Sequence, residues 1–136
     1  MESPCACANL RRASRAATAA YDSALAPVGL RITQFAVLRT LARLGPLPVS
    51  RLAAEIALDR STMGRNLDPL ERRGLVRIGI GDRDLRERIA ELTPQGEAAI
   101  AAALPYWRDA QARIAAVVDN EAIIRLADSL SALSHA

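Results

Sequence analysis

The chain has 136 residues, 51% hydrophobic but only 3% aromatic, which fits one domain of closely packed alanine-rich helices that completes its burial by oligomerising. All eighteen basic residues are arginine, set against fifteen acids for a net charge of +3; that total alone does not require a nucleic-acid partner, but residues 97–136, with three arginines against five acids, are mildly acidic, so a DNA surface is expected before them. No apolar run reaches the ~18 residues that span a bilayer, no uninterrupted secretory region precedes the first helix, and two cysteines two residues apart exclude a disulfide scaffold, so a cytoplasmic protein is expected.

A helix-favouring run from about Ala8 to Ala26 stops at Pro27 and Gly29. Thr33 is the expected cap of a second helix, with Phe35, Leu38, Leu41 and Ala42 at helical spacing. Gly45-Pro46-Leu47-Pro48 ends it and permits at most a short edge strand. Ser50 to Ala57 and about Arg60 to Arg73 read as two short helices joined through Leu58-Asp59, the second closed by a left-handed Gly74. Residues 75–80 and 88–92 alternate like strands around the turn Gly81-Asp82-Arg83-Asp84 and predict a charged β-hairpin. Thr93-Pro94 opens a long helix to about Val118, which Pro105 should bend, and Asp119 caps a last helix ending near Leu133.

On a helical wheel of the Arg60–Arg73 segment, Met63, Leu67 and Leu70 form one narrow apolar sector. Ser61, Thr62 and Arg65 lie opposite, with Asn66 on the flank. Hydroxyls, a guanidinium and an amide on one face suit phosphate oxygens and base edges in a major groove, although a solvated surface face is the plain alternative. The arginines of the hairpin, Arg83 and Arg86 among them, follow directly and suit a narrow minor groove. Asp82, Asp84 and Glu87 stand among them, so a self-neutralised turn is the alternative there.

Taken together, Thr33-Gln34-Phe35-Ala36-Val37-Leu38, Leu58-Asp59-Arg60-Ser61-Thr62-Met63, Leu70-Glu71-Arg72-Arg73-Gly74-Leu75-Val76, Asp84-Leu85-Arg86 and Leu92-Thr93-Pro94-Gln95-Gly96 resemble the MarR family of winged-helix regulators. The resemblance implies a mainly α fold with a small β-hairpin wing. Residues 31–96 would form the winged helix-turn-helix lobe, and residues 5–27 and 97–136 a helical dimerisation lobe, all in one domain over 1–136. It implies a homodimer reading a pseudo-palindrome in double-stranded DNA, and a salt bridge from the wing residue Arg86 to Asp59. Leu85 departs from the further arginine many members carry there. Relatives released from DNA by phenolic or other lipophilic molecules imply an effector pocket, for which Tyr21, Tyr106 and Trp107 are the candidates.

Cys7 stands at the start of the first helix with Arg11 one turn on, a setting that favours the reactive thiolate. The spacing from Cys7 to Tyr21 resembles that of the hydroperoxide-sensing branch of the family, whose tyrosine bonds the thiol; Ile32 replaces a second tyrosine expected there. An inert cysteine pair is the alternative. No cofactor or metal is expected, since the two thiols and the lone His135 make an incomplete ligand set. No enzyme is expected, because no phosphate loop or histidine triad is present. The rival functions are a thiol-dependent peroxidase and a winged helix used only for protein contact.

Overall fold

The computed structural model describes residues 2–135. Six α-helices and a three-stranded antiparallel sheet follow in the order α1 (Ala6–Leu25), α2 (Ile32–Leu44), β1 (Leu47–Pro48), α3 (Val49–Glu55), α4 (Arg60–Arg72), β2 (Val76–Ile80), β3 (Arg88–Leu92), α5 (Pro94–Ala115) and α6 (Asn120–Ser131). Short 3₁₀ turns lie at Ala26–Val28 and Ala132–His135. Helix α1 is continued into the first of these turns, and Gly29 at φ 68° reverses the chain towards α2.

Helix α2 starts two residues earlier than its sequence indicates. Arg31 occupies the cap, the Asp22 carboxylate accepts the Ile32 N–H at 2.8 Å, and Gln34 Oε1 accepts the Arg31 N–H at 3.0 Å. Thr33 is thereby freed from capping and donates its hydroxyl to Asn66 Oδ1 at 2.6 Å. A cap supplied by α1 cannot be read from the local sequence, which shows only Thr33 as a capping residue type.

Helices α3 and α4 are joined through a turn in which Ala57 has φ 56° and Leu58 N–H donates to Ala53 O at 2.9 Å. Helix α4 ends as expected at Gly74, whose φ is 73° and whose N–H reaches Glu71 O, while Leu75 N–H reaches Leu70 O. The sheet order is β1-β3-β2, with Ala90 of β3 facing both Leu47 and Ile78. Pro48 lies on the edge strand, where its missing N–H removes no interior ladder bond.

Thr93 ties the hairpin to α5. Its hydroxyl accepts the Gly96 N–H at 3.0 Å and donates to Gly74 O at 2.6 Å. Gly96 is required here, because a Cβ would collide with Leu75 O and stand 2.5 Å from Leu92 Cδ1. Helix α5 continues through Pro105 to Ala115, three residues short of the expected end.

The core lies between the sheet, α2 and the helix pair. Phe35, Leu38 and Leu41 of α2, Leu52 of α3, Met63, Leu67 and Leu70 of α4, Val76 of β2 and Ala103 of α5 are all buried. Helix α6 contributes nothing to it: no residue of that helix is buried, and Ile123, Ile124, Leu126 and Leu130 are exposed in the single chain.

Candidate nucleic-acid interface

The apolar sector of α4 anchors it inward, which leaves Ser61 and Arg65 exposed and Thr62 half-buried. Asp59 organises this face. Its Oδ1 accepts the Thr62 N–H at 2.8 Å as the helix cap and the Ser61 hydroxyl at 2.9 Å. Arg65 then folds back along the helix, with Nε 3.3 Å from Ser61 O and an Nη 3.4 Å from Ser61 Oγ. The Asp59 carboxyl is held below the ordinary carboxylate range by the Thr62 N–H first, then by the Ser61 and Thr62 hydroxyls.

Asn66 does not face outward with these residues. It is 9% exposed, donates to Thr62 O at 2.8 Å and accepts from Thr33. Its amide is consumed in joining α4 to α2, so it is a brace between helices and not a free base-reading group. A helical wheel shows only that the residue is flanking; the neighbour that turns a flank into an interior is placed by tertiary packing.

The hairpin projects beside the start of α4. Its tip folds on itself, with Gly81 N–H on Glu87 O at 2.8 Å and Arg86 N–H on Asp84 Oδ1 at 3.0 Å. Arg83 is exposed, Leu85 is 77% exposed, and the Arg86 side chain is 96% exposed. The expected Asp59–Arg86 bridge is corrected: Arg86 Nε lies 3.7 Å from Asp84 Oδ1, and the charged oxygen of Asp59 that faces α4 is engaged in capping. Asp84 is nearer along the chain and already receives the Arg86 N–H, so it wins the guanidinium in the single chain. Such a pair, almost fully in solvent, contributes little to stability and is readily exchanged.

The other candidate residues fall in separate places. Cys5 and Cys7 are both exposed free thiols, and Arg11 Nη2 lies 3.6 Å from Cys7 Sγ. Tyr21 is fourteen residues along the same helix, about 21 Å away at 1.5 Å per residue, so the two do not meet within one chain. The Tyr21 hydroxyl instead donates to Gln111 Oε1 of α5, and burial raises its pKa. Tyr21 and Gln111 line an apolar cavity of about 450 Å³ with Ile114, Val118 and Ile123, between α1, α5 and α6.

Trp107 belongs to a different cavity of about 310 Å³, with Phe35, Arg39 and Arg43. Its ring centroid is 5.9 Å from that of Phe35, and the Arg39 guanidinium stands 4.7 Å from its centre. Tyr106 is exposed and lines neither cavity. The single effector pocket expected from Tyr21, Tyr106 and Trp107 is therefore corrected to two separate cavities, because α5 turns Tyr106 and Trp107 in different directions. Among the described residues, no helix is long and apolar enough to cross a membrane, and no group of three metal-ligating side chains is gathered.

An exposed, capped helix following a short helix and a tight turn, with an arginine-bearing β-hairpin alongside, defines a winged helix-turn-helix protein built for duplex DNA. Comparison with known proteins places it further. The model of the MarR family matches residues 30–87. The M. tuberculosis transcriptional regulator MosR, solved in complex with DNA, is 40% identical with a TM-score of 0.85, and the match covers 97% of each chain. A probable transcriptional regulator from Pseudomonas aeruginosa is 28% identical with a TM-score of 0.76, over 91% of this chain and 92% of that one. Bordetella bronchiseptica BpsR, whose DNA binding is regulated by 6-hydroxynicotinic acid, shares the fold at 22% identity and a TM-score of 0.81, over 100% of this chain and 97% of that one. No curated protein matches the chain. The chain belongs to the MarR family of DNA-binding transcriptional regulators, and it is a regulator, not an enzyme.

Proposed function

We propose that this chain is a cytoplasmic, sequence-specific repressor that binds a pseudo-palindromic operator as a homodimer and is released by a small molecule or by oxidation at Cys7. The observation that carries the reading is the reading face of α4: Ser61, Thr62 and Arg65 are held outward by the Asp59 cap, with the exposed arginines of the wing alongside. In this reading Arg65 and Thr62 address base edges, while Arg83 and Arg86 enter the minor groove. Arg86 leaves its exposed pairing with Asp84 for DNA.

The homodimer is supported by helix α6, whose apolar residues have no cover within their own chain. A helix with this much exposed apolar surface marks an association face. An effector is supported by the two cavities on α5, and the regulation of BpsR by an aromatic acid is a fold-level parallel. Oxidation is supported by the exposure of Cys7 and the neighbouring Arg11. An organic hydroperoxide would be the oxidant: the thiolate attacks one peroxide oxygen, an S–O bond forms, the O–O bond breaks, and an alcohol leaves after protonation.

The test is a gel shift on the DNA flanking the gene for this protein, repeated with hydroperoxide, with reductant and with Cys7→Ser. Binding that weakens with salt is expected, with loss on oxidation in wild type but not in Cys7→Ser. Arg65→Ala should relax sequence preference, whereas Arg86→Ala should weaken binding to all sequences alike. Sustained turnover of hydroperoxide without DNA binding would return the reading to a peroxidase.

A further inference from the structure

The reading helix is bordered by two grooves, and each contains an exposed arginine that has no carboxylate partner among the described residues. On the α2 side, a groove of about 550 Å³ is lined by Arg31 and Gln34 together with Thr62 and Arg65 of α4. On the wing side, a groove of about 470 Å³ is lined by Arg60, Ser50, Arg86 and Arg88. Arg31 is the cap residue of α2 and Arg60 is the first residue of α4. A cation at a helix N-terminus opposes the helix dipole, which favours negative charge there. Each helix end is already met by a carboxylate, Asp22 on the Ile32 N–H and Asp59 on the Thr62 N–H, so the dipoles are offset without Arg31 or Arg60 gaining an acidic partner.

Two of the three acids in these grooves, Asp22 and Asp84, are otherwise engaged. Asp22 accepts the Ile32 N–H on the α2 side, and Asp84 holds both the N–H and the guanidinium of Arg86 on the wing side, where Glu87 is half-buried. Arg31, Arg60 and Arg88 are exposed, and among the described residues none has a carboxylate within 4.0 Å. Each groove therefore presents, beside the reading helix, an unpaired guanidinium whose charge an arriving phosphate would satisfy. A helix lying in a major groove has one sugar-phosphate strand on either side of it.

We infer that Arg31 and Arg60 are phosphate-contacting residues, one for each strand bordering the groove that α4 occupies, with Arg88 beside Arg60. This rests on the DNA-binding reading above. It adds a grip of non-reading contacts that fixes how α4 is seated, distinct from the base contacts of Arg65.

The experiment measures the dependence of Kd on salt for wild type, Arg31→Gln, Arg60→Gln and the control Arg108→Gln. Each is titrated with a duplex selected by wild type from a random-sequence pool and with sheared genomic DNA. For each of the first two variants, the log–log slope should fall by about 0.9 per contact, hence about 1.8 for a dimer on two half-sites, on both duplexes alike. Arg108→Gln should retain the wild-type slope. Because neither arginine has a carboxylate partner in the fold, thermal stability of the two variants should be close to that of wild type. Wild-type slopes in both variants would overturn the inference and leave the DNA reading standing. So would a change of base preference at constant slope, or a loss of binding accompanied by a lowered Tm. A wild-type protein that binds neither duplex would overturn the underlying reading instead.

Discussion

Asn66, with little exposure to solvent, joins the recognition helix to α2 by accepting the Thr33 hydroxyl at 2.6 Å and donates within its own helix to Thr62 O at 2.8 Å. Asn66→Ala removes both and leaves the Thr33 hydroxyl without its acceptor. A loss of about 1–3 kcal/mol is expected, measured by urea denaturation. Asn66→Ala should also weaken DNA binding on every sequence, as a misaligned helix would. Asp59 makes a second prediction, in pH. Its folded pKa is depressed by the Thr62 N–H and the Ser61 hydroxyl, so its capping contribution is complete above the ordinary aspartate value of about 4 and disappears as pH falls through the lower folded value. Melting curves between pH 6 and pH 2.5 should therefore fall more steeply for wild type than for Asp59→Asn, which caps without titrating. Parallel curves would remove the carboxylate from that role.

The turn between α3 and α4 sets the angle at which the reading helix is presented, and it carries a local cost. Ala57 has φ 56°, a left-handed conformation in which a Cβ crowds the backbone by roughly 1–2 kcal/mol. Glycine removes that crowding but loses more freedom on folding. Ala57→Gly is thus expected to stabilise by about 0.5–1 kcal/mol, seen as a raised urea midpoint at constant slope. A destabilised variant would mean that the alanine methyl contributes packing that outweighs its strain. The wing balances its strands differently. Arg77 and Glu91 pair across the register at 3.0 Å, while the tip arginines remain in solvent. The cross-strand ion pair thus sits towards the base of the hairpin and the exposed arginines at its tip.

At the scale of the molecule, the buried core gathers around α2, α3, α4 and the sheet, and the α6 end has none. Leu25, Phe35, Leu52, Leu67 and Val76 lie at or near zero exposure, whereas Val117 and Leu133 are 85% and 71% exposed. Within a single chain the apolar residues of helix α6 stay uncovered, and this is the face the proposed dimer would bury. Ile124→Asp with Leu130→Asp would place carboxylates on that apolar face, at a cost of several kcal/mol if a second copy covers it. Sedimentation should then show the dimer dissociation constant raised on the order of a hundredfold or more, with operator affinity lost in parallel. Unchanged sedimentation would show that α6 is not the association face.

Most of the elements were legible because their signals are local. The alternation in residues 88–92, the Thr93-Pro94 start, the Gly74 stop and the Met63, Leu67, Leu70 sector each follow from a few neighbouring residues. The outward placement of Ser61 and Arg65 follows directly from where that sector points. What the sequence could not hold was any relation between distant segments. The Asp22 cap on α2, the Thr33–Asn66 brace, the choice of Asp84 over Asp59 as partner for Arg86, and the separation of Tyr21 from Trp107 each depend on which surfaces are brought together in space. By itself, the sequence determined the identity and order of the elements and the chemistry carried on each. The tertiary structure decided which of those polar groups are consumed in holding the fold and which are left for DNA, because a hydrogen-bonding group satisfied inside the protein is no longer offered to a ligand.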